Sequence, residues 1–138
     1  MYAYPVYLEQ DGDSVLVTFP DIPEAITFGA DADEARLHAQ DALETALELY
    51  VEARRPIPVP GKCSDEQRVA PSLLVQAKLA IYATMLEHNI RKADVARRLG
   101  WHMPQVDRIL DLEHASKMPQ IEQVAASLGI HMEINLSK

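Results

Sequence analysis

The sequence predicts an α+β fold in two parts, and three observations carry that prediction. The first half alternates apolar and polar residues over short runs and then changes to helical spacing. The second half is helical almost throughout. The charge divides near the same place: residues 1–65 hold thirteen acidic and four basic residues, a balance of −9, whereas residues 66–138 hold eight and nine, a balance of +1. A chain of 138 residues has room for two small domains, expected here at 1–70 and 71–138.

The first domain reads as a small antiparallel sheet with one packed helix. Tyr2, Tyr4, Val6 and Leu8 alternate with other residues, the pattern of a strand with one buried face. Pro5 cannot donate to a ladder, so it belongs at an edge or on the free side of its strand. Asp11-Gly12-Asp13 is a hairpin turn, and Val15, Val17 and Phe19 alternate after it. Pro20 and Pro23 punctuate the exit, and Ala25–Gly29 makes a third short strand. Asp31 followed by Glu34 starts a helix with a capping box. Ala35, Ala39, Ala42, Leu43, Ala46, Leu47 and Tyr50 form its apolar stripe, and Glu34, Gln40, Asp41, Glu44, Glu48 and Glu52 lie largely off it. The proline-rich run Arg54–Gln67 is a connection, and residues 67–70 add a last strand.

The second domain is predicted all-α. Residues 72–87 are rich in Leu, Ala, Ile and Met; Lys117-Met118-Pro119 opens a last helix that stops at Gly129. In the tail, Ile130, Met132, Ile134 and Leu136 alternate with His131, Glu133, Asn135 and Ser137, so a terminal strand is expected over 130–136. A lone strand needs a partner. Either it pairs with its copy across a two-fold axis, making a homodimer or, with two dimers joined, a tetramer, or it packs on its own helices.

ADVARRLGWHMPQVDRIL, residues 93–110, has the spacing of a helix-turn-helix. Val95 and Leu99 face inward, Ala96 is small where two helices cross, and Gly100 falls at a turn that requires positive φ. Trp101, Val106 and Ile109 complete the inward set. The outward residues then carry DNA recognition. His102, Met103, Gln105 and Arg108 fall at or near the groove-facing positions of the second helix, where Arg pairs with guanine and Gln with adenine. Lys92, Ser116 and Lys117 flank the helices where phosphates would pass. Asp107 either orients Arg108 or accepts from cytosine. Arg97 and Arg98 are either further phosphate contacts or a solvated helix face.

Other chemistries find little support. The sequence holds no Ser/His/Asp spacing, phosphate-cradling glycine loop or Cys/His cluster, and it calls for no cofactor and no metal. Asp21 follows a strand, but the other acids sit in a turn or on outward helix positions, so no enzyme is expected. His88, His102 and His114 lie in the second domain and are explained by polar surface. No run of about 18 apolar residues marks a membrane span, and Met1-Tyr2-Ala3-Tyr4-Pro5 has neither the basic nor the apolar region of a secretion signal. The single Cys63 can form no internal disulfide, which fits a reducing cytoplasm.

The stretch YPVYLEQDGDSVLVTFPDIPEAITFGADADEARLHAQDALETALELYVE resembles the N-terminal domain of HicB-type antitoxins. The YPV opening, the F-P-D-I-P corner, the T-x-G strand end and the D-x-x-E-A helix start with a following D-A-L carry the resemblance. Glu24-Ala25 departs from it, standing where many members have glycine and cysteine. The second half looks like the Cro/repressor-like helix-turn-helix domain that many of these antitoxins carry. The resemblance implies a partial ribonuclease H-like first domain without that enzyme's activity. It also implies a small RNA-cleaving HicA-type toxin as partner, and repression of the operon by operator DNA binding. A toxin that grips RNA should be basic, and the acidic half would steer toward it. The competing expectation is a one-component transcriptional regulator whose first domain senses a small ligand.

Overall fold

The computed structural model describes residues 2–62 and 67–138; Met1 and Cys63, with the disulfide question, lie outside the described residues. The chain is α+β, as the sequence predicts, and divides into two compact units, Met1–Gln76 and Ala77–Lys138. The division falls inside a helix rather than at the expected 70/71 position.

The first unit begins with β1 (Tyr4–Pro5), β2 (Tyr7–Asp11), β3 (Ser14–Thr18) and β4 (Ile26–Gly29). β2, β3 and β4 form an antiparallel sheet in that order, and β1 pairs separately with β5 (Arg68–Val69). The Val6 N–H donates to the Gln67 carbonyl at 2.7 Å, so the preceding Pro5 nitrogen faces away from that ladder. The β2–β3 hairpin turns at Gly12, where φ is 61°, with Asp11 opposite Ser14.

Helix α1 (Ala32–Glu52) starts where the capping signal places it: Asp31 is the cap, and its carboxylate accepts the Glu34 N–H at 2.8 Å. Ala35, Ala39, Leu43, Ala46, Leu47, Tyr50 and Val51 are buried, which reproduces the predicted stripe except that Ala42 is half-buried. Helix and sheet approach closely at Gly29. A Cβ there would lie 2.3 Å from the Ala35 nitrogen, so this position demands glycine for space. Val15, Val17, Phe19, Ile22 and Tyr4 complete the core.

The second unit holds most of α2 (Leu73–Glu87), then α3 (Lys92–Leu99), α4 (Met103–Leu110) and α5 (Met118–Ser127). Gly100 ends α3 in the left-handed region at φ 66°, as the turn spacing predicts. Its added Cβ would meet nothing within 4 Å, so backbone conformation, not space, selects glycine here. Val95, Val106, Ile109, Ile121 and Val124 are buried, whereas Ala96, Leu99 and Trp101 are half-buried.

Within the single chain the expected terminal strand over residues 130–136 does not form. A strand exists through its ladder, and among the described residues none pairs with this segment. Ile130, Met132 and Ile134 lie beside α5 around a hollow shared with Met118, Glu122 and Ala125, and the Ile130 N–H donates to the Ala125 carbonyl at 2.9 Å. Ile134 and Leu136 are exposed at 64% and 92%.

Candidate functional site

Two surfaces, one in each unit, are the candidates. In the second unit the site is the turn from α3 into α4. His102 caps α4, and its N–H donates to Gln105 Oε1 at 2.8 Å, closing a capping box that fixes both residues at the helix start. Met103 is 42% exposed at the first position of the helix, and Arg108 is exposed one and a half turns later. His102, Met103 and Arg108 therefore all open to solvent, while Gln105 is half-buried with its side-chain oxygen engaged.

The flanking residues divide. Lys92 opens α3 and pairs with Asp107 of α4 at 2.9 Å, which settles where Asp107 points: toward Lys92. Lys117 is exposed at the start of α5. Ser116 is buried, and its hydroxyl bonds the Arg108 carbonyl at 3.3 Å and His114 Nδ1 at 3.1 Å, so its hydroxyl serves the loop after α4. Arg97 pairs with Asp94, and Arg98 donates to the Ser127 carbonyl at 3.1 Å, where it meets the last turn of α5. The Arg91 N–H bonded to Asp94, reinforced by Arg97 and Arg98, holds the Asp94 carboxyl below the usual carboxylate range.

One residue that holds the second unit together escapes sequence reasoning. Lys78 of α2 is fully buried, and its Nζ donates to the carbonyls of Arg108, Asp111 and His114 at 2.9, 2.6 and 2.7 Å. An ammonium has three N–H donors, and here three backbone oxygens receive them. Two of those oxygens belong to the end of α4 and its cap, so Lys78 fixes where the exposed helix stops. A lone lysine inside an apolar helical run was the available signal.

In the first unit the candidate surface is a sheet face. α1 covers the side of the sheet that carries Val15 and Val17. On the other side the register aligns Tyr7, Thr18 and Ile26 in one row and Glu9, Leu16 and Phe28 in the next. Tyr7, Ile26 and Phe28 are 58%, 61% and 65% exposed. At the border of β4 and α1 lies a groove of about 320 Å³, lined by Glu24, Ile26, His38, Asp41, Thr45 and Leu49. His38 Nδ1 bonds the Phe28 carbonyl at 2.8 Å and caps part of the free edge of β4.

The corner residues of this unit are structural. Asp21 accepts the Gly61 N–H at 2.8 Å, and Tyr4 donates to the Pro58 carbonyl at 2.7 Å, so both hold the strap that follows α1. Burial pushes the Tyr4 hydroxyl far above its ordinary range. Glu24, at the position that departs from the resembled pattern, accepts the Tyr50 hydroxyl at 2.7 Å and pairs with Arg55, and the hydroxyl bond leads in holding its carboxyl low. Among the described residues no group of three or more His, Cys, Asp or Glu could hold a metal, and no helix is long and apolar enough to cross a membrane.

Comparison with known proteins places the chain in a family. The family described as HicB_like antitoxin of bacterial toxin-antitoxin system matches residues 3–80. Antitoxin HicB 2 of Photorhabdus laumondii is 40% identical over 131 residues, covering 95% of this chain and 94% of the relative. Antitoxin HicB of Pseudomonas fluorescens is 38% identical, over 94% and 90% of the two chains. Antitoxin HicB of Escherichia coli K12 is 33% identical, over 95% and 96%. These relatives extend across the second unit as well as the first.

Proposed function

Because the chain belongs to the HicB-like antitoxin family, we propose that it neutralises a small RNA-cleaving HicA-type toxin through its first unit and represses its own operon by binding operator DNA through its second. The division of the molecule carries this reading: an acidic unit with an uncovered apolar sheet face, joined to a unit that turns His102, Met103 and Arg108 outward from a short helix behind a tight turn. Acidic charge favours a basic RNA-binding partner and disfavours DNA, so the two partners sort to the two units.

On DNA, α4 is the reading helix. Arg108 pairs with guanine, His102, Met103 and Gln105 meet neighbouring base edges, and Lys92 and Lys117 lie along the flanking backbone path, while the buried Ser116 holds the loop after α4 that places Lys117. One such helix covers few base pairs, so the chain acts as a homodimer on two half-sites, with tails paired strand to strand, and two dimers can join as a tetramer. The unpaired apolar alternation at Ile134 and Leu136 supports that use of the tail. Both partners belong to the cytoplasm.

The test is co-expression with the small basic protein encoded beside it. The chain should co-purify with that protein and restore growth, and full toxicity with both present would refute the reading. On its own promoter, Arg108→Ala should weaken binding by about 1–3 kcal/mol, and a chain ending before Ile130 should sediment as a monomer. A stable dimer of the shortened chain would remove the tail from the account.

A further inference from the structure

We propose that the outer face of the β2-β3-β4 sheet, centred on Ile26, Phe28, Leu16 and Tyr7 and bordered by the groove beneath β4, is the surface on which the basic toxin docks. The proposal rests on the antitoxin reading above and deepens it by naming the face.

Four side chains from three strands become neighbours through the register alone. Leu16 lies opposite Phe28, and Thr18 joins Tyr7 to Ile26. Tyr7, Ile26 and Phe28 leave more than half their surface in water, whereas α1 covers the opposite face of the same sheet. A clustered apolar patch on a small domain marks a contact surface, and aromatic residues are favoured at the centre of one.

Charge selects the occupant. Glu9 stands on the same face beside Leu16, and Asp11 follows it along β2 on that face opposite Ser14, both exposed. Ile26 also lines the neighbouring groove, where Asp41 contributes an exposed carboxylate; Glu24 lines it too but is held by Tyr50 and Arg55. The patch therefore continues into a cleft whose acid at Asp41 favours a cationic side chain. Nucleic acid would be repelled by this border. A second copy would bring the same acids against it, since the first 65 residues carry −9. A basic protein meets both requirements: apolar contact at the centre and opposite charge at the rim.

Full-length chain and its co-expressed basic partner give the test, read by capture and by binding in solution. Ile26→Lys with Phe28→Lys should weaken capture at least tenfold. Leu37→Lys, on the exposed side of α1, should leave it unchanged. Glu9→Lys with Asp11→Lys provides a variant made entirely at exposed positions, so it reports even if the double β4 variant is unstable; it should weaken capture and flatten its salt dependence. Undiminished capture by either face variant, with wild type capturing normally, overturns the face and leaves the antitoxin reading standing. A fall in the chain's own oligomeric mass on changing Ile26 and Phe28 assigns the face to a second copy and overturns the proposal. No capture by wild type overturns the antitoxin reading itself.

Discussion

The first unit and the second solve the same packing problem with opposite leftovers. The sheet unit buries one apolar face under α1 and is left with another, where Ile26 and Phe28 stand in water. The helical unit buries most of the apolar residues of its helices and also a charge, Lys78, and leaves a polar rim at His102, Lys117 and Arg108. A strand must present its side chains to two faces, so an apolar strand exposes what its core does not take. A helix can turn a single stripe inward and keep its charged residues out. The apolar excess of the first unit suits a protein partner, and the polar rim of the second suits nucleic acid.

The largest test of this contrast removes the buried charge. Lys78→Met keeps the apolar stem but removes three bonds from a charged donor; the carbonyls keep the Ser116 hydroxyl, the His114 N–H and the Ser116 N–H as partners. Bonds from a charged donor are the strong ones, and the variant should lose about 3–5 kcal/mol by denaturant titration. The loss should appear in the second unit, with operator binding failing before capture of the basic partner does. A variant as stable as wild type would mean that water replaces the ammonium and that Lys78 does not fix the end of α4.

How much of this was legible in the sequence follows from distance along the chain. The α1 cap and stripe, the Gly12 turn and the Gly100 turn depend on neighbours a few residues apart, and each appears where its spacing predicts. Lys78 depends on carbonyls 30 to 36 residues away, which no local pattern carries. The exposed sheet face was hidden for another reason. Alternation in ITFG separates two faces but does not say which one α1 covers; the β3–β4 register and the contact at Gly29 decide that. The tail shows the same limit from the other side, since alternation without a ladder partner makes no strand.

The two glycines sharpen the contrast at a smaller scale. Gly29→Ala drives a methyl against the α1 backbone, where nothing flexible can yield, and should destabilise the first unit by about 3 kcal/mol. Gly100→Ala meets open space and bears the left-handed backbone alone, so it should cost about 1 kcal/mol in the second unit. Thermal unfolding of the two variants should keep that order. The reverse order would show that α1 can shift away from β4 and that the α3–α4 turn is the tighter junction.

The smallest effect is a pH dependence confined to the second unit. Asp94 accepts the Arg91 N–H at 2.9 Å at the start of α3 and lies beside Arg97 and Arg98, so its carboxyl is held below its unfolded value. A depressed acid stabilises the folded state at pH above its unfolded value, and that contribution disappears as pH falls through the folded one. Asp94→Asn keeps an oxygen for the Arg91 N–H but removes the charge. Its melting temperature should therefore lie slightly below that of wild type at neutral pH and converge with it in acid. A gap that stays constant down through the carboxylate range would show that shape at the α3 start, and not charge, accounts for the role of Asp94.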